Sequence, residues 1–148
     1  MPKVKDFFTE KQLKDISEII SKAEASSTGE IRVHLHNSCK EDVVIKEAWK
    51  RFAKLEMHKT QDRNGVLIFI SVQDRQMAIV ADEGINRCEE EGTWERFLAQ
   101  LVEDFSKGEI EEGLKKCILT IGEELAKFFP KTPDSNNTNE LTNDVSFE

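Results

Sequence analysis

Only three cysteines occur in the 148 residues, and Cys39, Cys88 and Cys117 fall in no C-x-x-C or zinc-type spacing. Disulfide frameworks and structural zinc sites need paired cysteines, so these three read as reduced thiols of a cytosolic protein. Long apolar runs are missing too. None exceeds Val66 to Ile70, far below the roughly 20 residues of a spanning helix. Met1-Pro2-Lys3-Val4-Lys5-Asp6 has no signal-peptide core. The expectation is a cytoplasmic protein with no direct membrane insertion.

Positive charge is scarce. Lysine and arginine number 21 against 29 aspartates and glutamates, a net charge of −8. From residue 130 onward, Lys131 against Asp134, Glu140, Asp144 and Glu148 accounts for −3, which leaves −5 in the body. No basic stripe interrupts this surface, which argues against nucleic acid as a ligand and gives no help in docking to anionic lipid.

Phosphatase signatures are absent as well. No cysteine is followed at the required distance by a phosphate-cradling arginine, and no Asp-x-Asp pair follows a strand. Gly108 to Gly113 imitates the front of a P-loop, but Leu114 precedes Lys115 and three of the four intervening residues are glutamates. Those acids would repel phosphate.

What is present is strongly periodic. Thr9 and Gln12 form a capping-box pair ahead of Leu13, Ile16, Ile20 and Ala23, predicting a helix over 10–26. Residues 30–36 alternate, with Ile31, Val33 and Leu35 on one face and Glu30, Arg32, His34 and His36 on the other. That is a strand with one buried face and one polar, edge-like face. Ile45, Ala48, Trp49, Phe52 and Leu55 predict a helix over 42–57. The Asn64-Gly65 turn then launches a strand over 66–71, and 77–81 returns as its hairpin partner. Thr93 is expected to cap a helix carrying Trp94, Phe97, Leu98, Leu101, Val102 and Phe105 on one apolar stripe. A last helix spans about 109–129, where Gly113 and Gly122 mark close backbone approaches.

The first two long strands flank a helix, so they should be parallel through a right-handed crossover, and the hairpin adds an antiparallel strand. The fold class is α/β, an α/β/α sandwich with a small mixed sheet (a βαβ unit plus an antiparallel hairpin strand) flanked by helices. It occupies residues 1–129, with a disordered acidic tail over 130–148, where the apolar period stops.

In order and spacing these pieces resemble the TPM domain family over roughly residues 7–129. The resemblance rests on Thr28-Gly29-Glu30-Ile31-Arg32-Val33, on Asn64-Gly65-Val66-Leu67-Ile68 and on Asp74-Arg75 between hairpin strands. Ala81-Asp82-Glu83-Gly84-Ile85, and Phe105 with Gly108 and Gly113-Leu114, extend it. It implies a sandwich fold. It also implies a family in which weak acid phosphatase activity, calcium binding and membrane-protein maintenance are ascribed to some members. Many relatives carry a signal peptide and an anchor that this sequence lacks, so lumenal and periplasmic roles are not expected to transfer.

Topology brings the starts of the first two strands and the end of the third to one sheet edge. Glu30, Asp62, Asp82 and Glu83 should gather there with Asn64 nearby, an oxygen-rich set suited to Ca²⁺ or Mg²⁺. A hard cation held there could polarise a phosphate ester, although such acids more often simply solvate strand ends. His34 and His36, with His58 as a third ligand, are a weaker metal set, more simply a polar edge. At the opposite edge His36, Asn37, Ser38 and Ser71 raise a nucleophile hypothesis that lacks a Gly-x-Ser-x-Gly elbow. The leading expectation is an accessory module that binds a protein partner at the acidic edge, without strong catalytic activity. The alternative is a weak cation-assisted acid phosphatase acting on phosphomonoesters.

Overall fold

A computed structural model describes residues 4–39, 43–131 and 143–148. The chain begins with a short helix α1 (Val4–Phe7) and continues into α2 (Glu10–Glu24). The Thr9–Gln12 capping box is formed in both directions, at 3.1 and 2.9 Å. Then come β1 (Glu30–His36), α3 (Val44–Lys54), a 3-10 turn at Met57–Lys59, β2 (Gly65–Ser71) and β3 (Gln76–Ala81). The helices α4 (Glu83–Asn86), α5 (Thr93–Ser106) and α6 (Ile110–Phe128) follow, and the two-residue strand β4 (Ser146–Phe147) closes the chain.

The sheet order is β3-β2-β1-β4. Strands β1 and β2 are parallel, with Glu30 opposite Gly65 and His36 opposite Ser71. Strand β3 is antiparallel to β2, with Val66 opposite Ala81. The mixed sheet and its crossover therefore match the reading from periodicity.

Alternation sorts side chains to two cores. Ile31, Val33, Leu35, Val66, Ile68, Ile70 and Ile79 face α2, α5 and α6, where Ile16, Ile20, Leu101, Leu114, Ile118 and Ile121 meet them. On the other face Leu67, Phe69, Ala78 and Val80 meet Ala48 and Phe52 of α3 and Met57. Each such aliphatic or aromatic side chain contributes about 1.5–3 kcal/mol on burial, so the larger face dominates stability. Gly122 lets α6 lie on α2, since a Cβ there would stand 2.7 Å from the Ala23 carbonyl oxygen.

Three features differ from the sequence reading. Helix α5 is capped by Gly92 at φ 89° rather than by Thr93, which is buried in the first turn. The short helices α1 and α4 carry too little period to announce themselves, and Asp82 caps α4 through the Glu83 amide at 2.8 Å. The third lies in the tail expected to be disordered over 130–148. Residues 132–142 fall outside the described residues, but the far end is in place. Ser146 pairs with His34 and Phe147 with Leu35, parallel to β1. An edge strand's unpaired amides and carbonyls accept such a segment, and Val145, buried in the larger core, anchors it. No described helix is long and apolar enough to cross a membrane.

Candidate functional site

At one rim of the sheet, where β1 and β2 begin and β3 ends, the expected acids do collect. They reach that rim by separate routes and find separate partners. Asp62 lies in the turn before β2, and its Oδ2 accepts the Thr28 hydroxyl at 2.8 Å. Asp82 ends β3, with its amide donating to the Gly65 carbonyl at 2.9 Å. Arg63 adopts φ 52° in the intervening turn, and its guanidinium forks onto Asp82 at 2.7 and 2.9 Å. It also reaches Glu83 at 3.4 Å. Charge-assisted forks of this kind are the strong form of ion pair, and this one holds the Arg63 pKa above its usual value.

The fork and the turn are locked by backbone contact. The Gly84 amide donates to the Arg63 carbonyl at 2.8 Å, and a Cβ on Gly84 would meet the Asp62 carbonyl oxygen at 2.0 Å. Asn64 is fully buried between these segments. Its Nδ2 donates to Thr28 Oγ1 at 3.1 Å, while its Oδ1 has no hydrogen-bond partner.

Glu30 sits at the same rim but points into a different environment. It is 5% exposed and hydrogen-bonded to the carboxyl of Glu24, which is 8% exposed at the end of α2. Glu24 also accepts the Ile31 amide at 2.6 Å. Burial, then the neighbouring Glu30 charge, pushes the Glu24 carboxyl up to about 9 against the opposing pull of the Ile31 amide. The pair therefore shares a proton at neutral pH. Among the described residues, no three of the chain's histidines, cysteines and acids are placed to hold a metal ion together. Asp62, Asp82 and Glu83 are neighbours, Glu30 turns toward Glu24, and Arg63 supplies the positive charge that a cation would otherwise bring.

The histidine face of β1 is not the open polar edge its alternation suggested. His34 is 1% exposed and stacks on Phe69 with ring centroids 5.6 Å apart. Its Nδ1 lies 2.7 Å from Ser146 Oγ and its Nε2 3.3 Å from His36 Nδ1. Desolvation, then the Arg51, His36 and Arg32 charges, lowers His34 to about 3, so it is neutral. His36 instead approaches Glu47 of α3 at 3.5 Å. Strand β4 covers what the alternation left open. His58 is exposed on the 3-10 turn.

The nucleophile hypothesis finds no support in the geometry. Ser71 is fully buried and donates to Asp74 at 2.6 Å rather than to a histidine. Cys117 lines a cavity of about 250 Å³ between α5 and α6 with Arg96, Gln100 and Lys116, but burial pushes its thiol up to about 12. It stays protonated at neutral pH and is a poor nucleophile.

Sequence reasoning placed the rim acids and missed their partners. Arg63 stands next to Asp62 in the chain, and the only signal of its role was its place in a tight turn. The role of Glu24 had no signal, because a glutamate at a helix end ordinarily faces water.

Comparison with known proteins follows the same outline. The family model described as the TPM domain matches residues 3–124. The solution structure of the BA42 protein from the psychrophilic bacterium Bizionia argentinensis is similar at TM-score 0.89 and 35% identity, covering 100% of both chains. The N-terminal domain of a P. gingivalis protein shares the fold at TM-score 0.64 and 18% identity, over 84% of this chain and 82% of that one. A comparison with curated proteins finds no match.

Proposed function

The chain belongs to the TPM domain family, and from that premise we propose that it is a protein-binding accessory module without strong catalytic activity. One observation carries this reading. On the outer face of α3, Ile45 and Trp49 stand four residues apart and are 44% and 42% exposed, with Val43 beside them at 47%. Exposed apolar side chains gathered on one helix face are a usual mark of a partner surface, and tryptophan is among the commonest energetic anchors of such contacts. The partner surface is therefore the α3 face rather than the acidic rim, whose carboxylates already have partners. A cytoplasmic setting fits three cysteines that form no disulfide with one another.

The test is capture of partners from lysate by the wild-type chain, by Trp49→Glu and by Asp82→Asn. A stoichiometric partner kept by Asp82→Asn and lost by Trp49→Glu is the expected result. Recovery of no partner across salt conditions would count against the proposal.

A second reading, a weak cation-assisted acid phosphatase at Asp62, Asp82 and Glu83, keeps one observation in its favour. The unpartnered Asn64 Oδ1 is a carbonyl oxygen of the type that Ca²⁺ or Mg²⁺ takes as a ligand. Hydrolysis of a generic phosphomonoester that survives purification, needs either cation and falls in Asp82→Asn would establish this reading over the first.

A further inference from the structure

The outer edge of β1, where β4 pairs, carries a row of groups that belongs to neither surface discussed so far. In an acidic protein, that row is cationic or imidazole: Arg32, His34 and His36 on the strand, with Arg51 of α3 beside them. The occupant is the chain's own last residues, and it fits position by position. Asp144, Ser146 and Glu148 are two apart, so in an extended segment they share one face. The Asp144 charge acts on Arg32, Ser146 Oγ lies 2.7 Å from His34 Nδ1, and the Glu148 carboxylate pairs with Arg51. Val145 points the other way into the larger core, and Phe147 is 48% exposed.

Main-chain bonds complete the seat. The Glu148 amide donates to the Leu35 carbonyl at 2.9 Å, and the Asn37 amide donates to the Glu148 carbonyl at 2.8 Å. This combination is the logic of strand addition, where backbone pairing supplies affinity and alternate side-chain positions supply selectivity. Strand β4 has only two residues and cannot persist by itself. Its place depends on the receptor edge.

We propose that the β1 edge is a recognition site for an extended acidic peptide of the pattern acid–apolar–hydroxyl–apolar–acid on a partner protein, and that residues 143–148 hold it closed as a ligand in cis. A tethered ligand acts at an effective concentration in the millimolar range, so a partner must match it or act once it has left. The site is distinct from the outer face of α3. Trp49→Glu should leave peptide binding unchanged, so either proposal can fail alone.

The probe is a fluorescent synthetic peptide, Asn-Asp-Val-Ser-Phe-Glu, titrated by anisotropy against the full-length chain and two variants that release the tail. One is Ser146→Pro, which removes an amide on the face of the segment that pairs with β1. The other is Asp144→Lys with Glu148→Lys. Both released variants should bind the peptide at least tenfold more tightly than the wild type. Arg51→Glu in the Ser146→Pro background should abolish that gain, and a peptide ending in Arg instead of Glu should restore it. Released variants that keep the native amide spectrum of the body yet bind no better than the wild type would overturn the proposal. So would a wild-type dimer that exchanges its C-terminal strands, since the edge would then serve a second copy of this chain.

Discussion

The carboxylate rim and the histidine edge of β1 bury ionisable groups by opposite strategies. At the rim, Glu24 keeps a proton that an exposed glutamate would lose, because desolvation and Glu30 both penalise its charge. At the edge, His34 gives up a proton that an exposed histidine could hold, because desolvation, the Arg51 and Arg32 guanidiniums and the neighbouring His36 ring penalise its charge. The rim also keeps one paired charge, Asp82, by wrapping Arg63 around it. Each of these three buried groups is therefore either neutral, as Glu24 and His34 are, or forked, as Asp82 is. Which one it becomes depends on whether a counter-charge can reach it.

Three experiments can break this comparison, beginning with the largest effect. Gly84→Ala would drive a Cβ against the Asp62 and Arg63 carbonyl oxygens, at 2.0 and 2.5 Å, where the contacts are backbone and cannot swing aside. The expected loss is about 3 kcal/mol of unfolding free energy by denaturant titration. A neutral outcome would mean that the rim is soft and its fork incidental.

Glu24→Gln replaces the shared proton with an amide hydrogen that can still donate to Glu30, while the amide oxygen still accepts from Ile31. In the wild type, the folded pKa of Glu24 is raised from 4.5 to about 9, so its stabilisation is full below pH 4.5 and is lost as pH rises toward 9. The variant should be more stable at pH 8 by about 2 kcal/mol, because it folds without having to take up a proton there. Its stability should also depend less on pH between 4.5 and 9. An unchanged alkaline limb would show that the carboxyl pair does not share a proton.

His34 gives the mirror image and the smallest effect. Its folded pKa is depressed from 6.5 to about 3, so its contribution is complete above pH 6.5 and disappears as pH falls toward 3. A one-proton difference is worth about 1.4 kcal/mol per pH unit, so about that much should be missing by pH 5.5. His34→Gln, which cannot take up the proton, should flatten this acid limb. The groups facing His34 are Arg32 and His36 on its own strand, Arg51 on α3 and Ser146 on β4, and none is an acid that would reverse the sign. Persistence of the acid limb in the variant would assign it elsewhere.

Most of the architecture was legible along the chain. The alternation of Ile31, Val33 and Leu35 and the apolar run from Val66 to Ile70 placed two strands almost to the residue, and Gly122 marked where α6 lies on α2. The rim acids were legible only as neighbours, because strand register predicts which ends meet and not how side chains turn. Arg63 aims at Asp82 because of a left-handed turn conformation and the Gly84 contact, and neither is periodic. Strand β4 was illegible for a different reason. Asp144 to Glu148 is too short to hold an extended form without an edge to pair with.

Local patterning by itself determined the four long helices, the three long strands, their directions and the two faces of the sheet, because periodicity records which side of an element avoids water. Tertiary structure alone decided the ionisation and partners of Glu24, His34 and Asp82, and the seat of the last residues. Those depend on desolvation and on counter-charges brought from elsewhere in the chain, which no stretch of sequence contains.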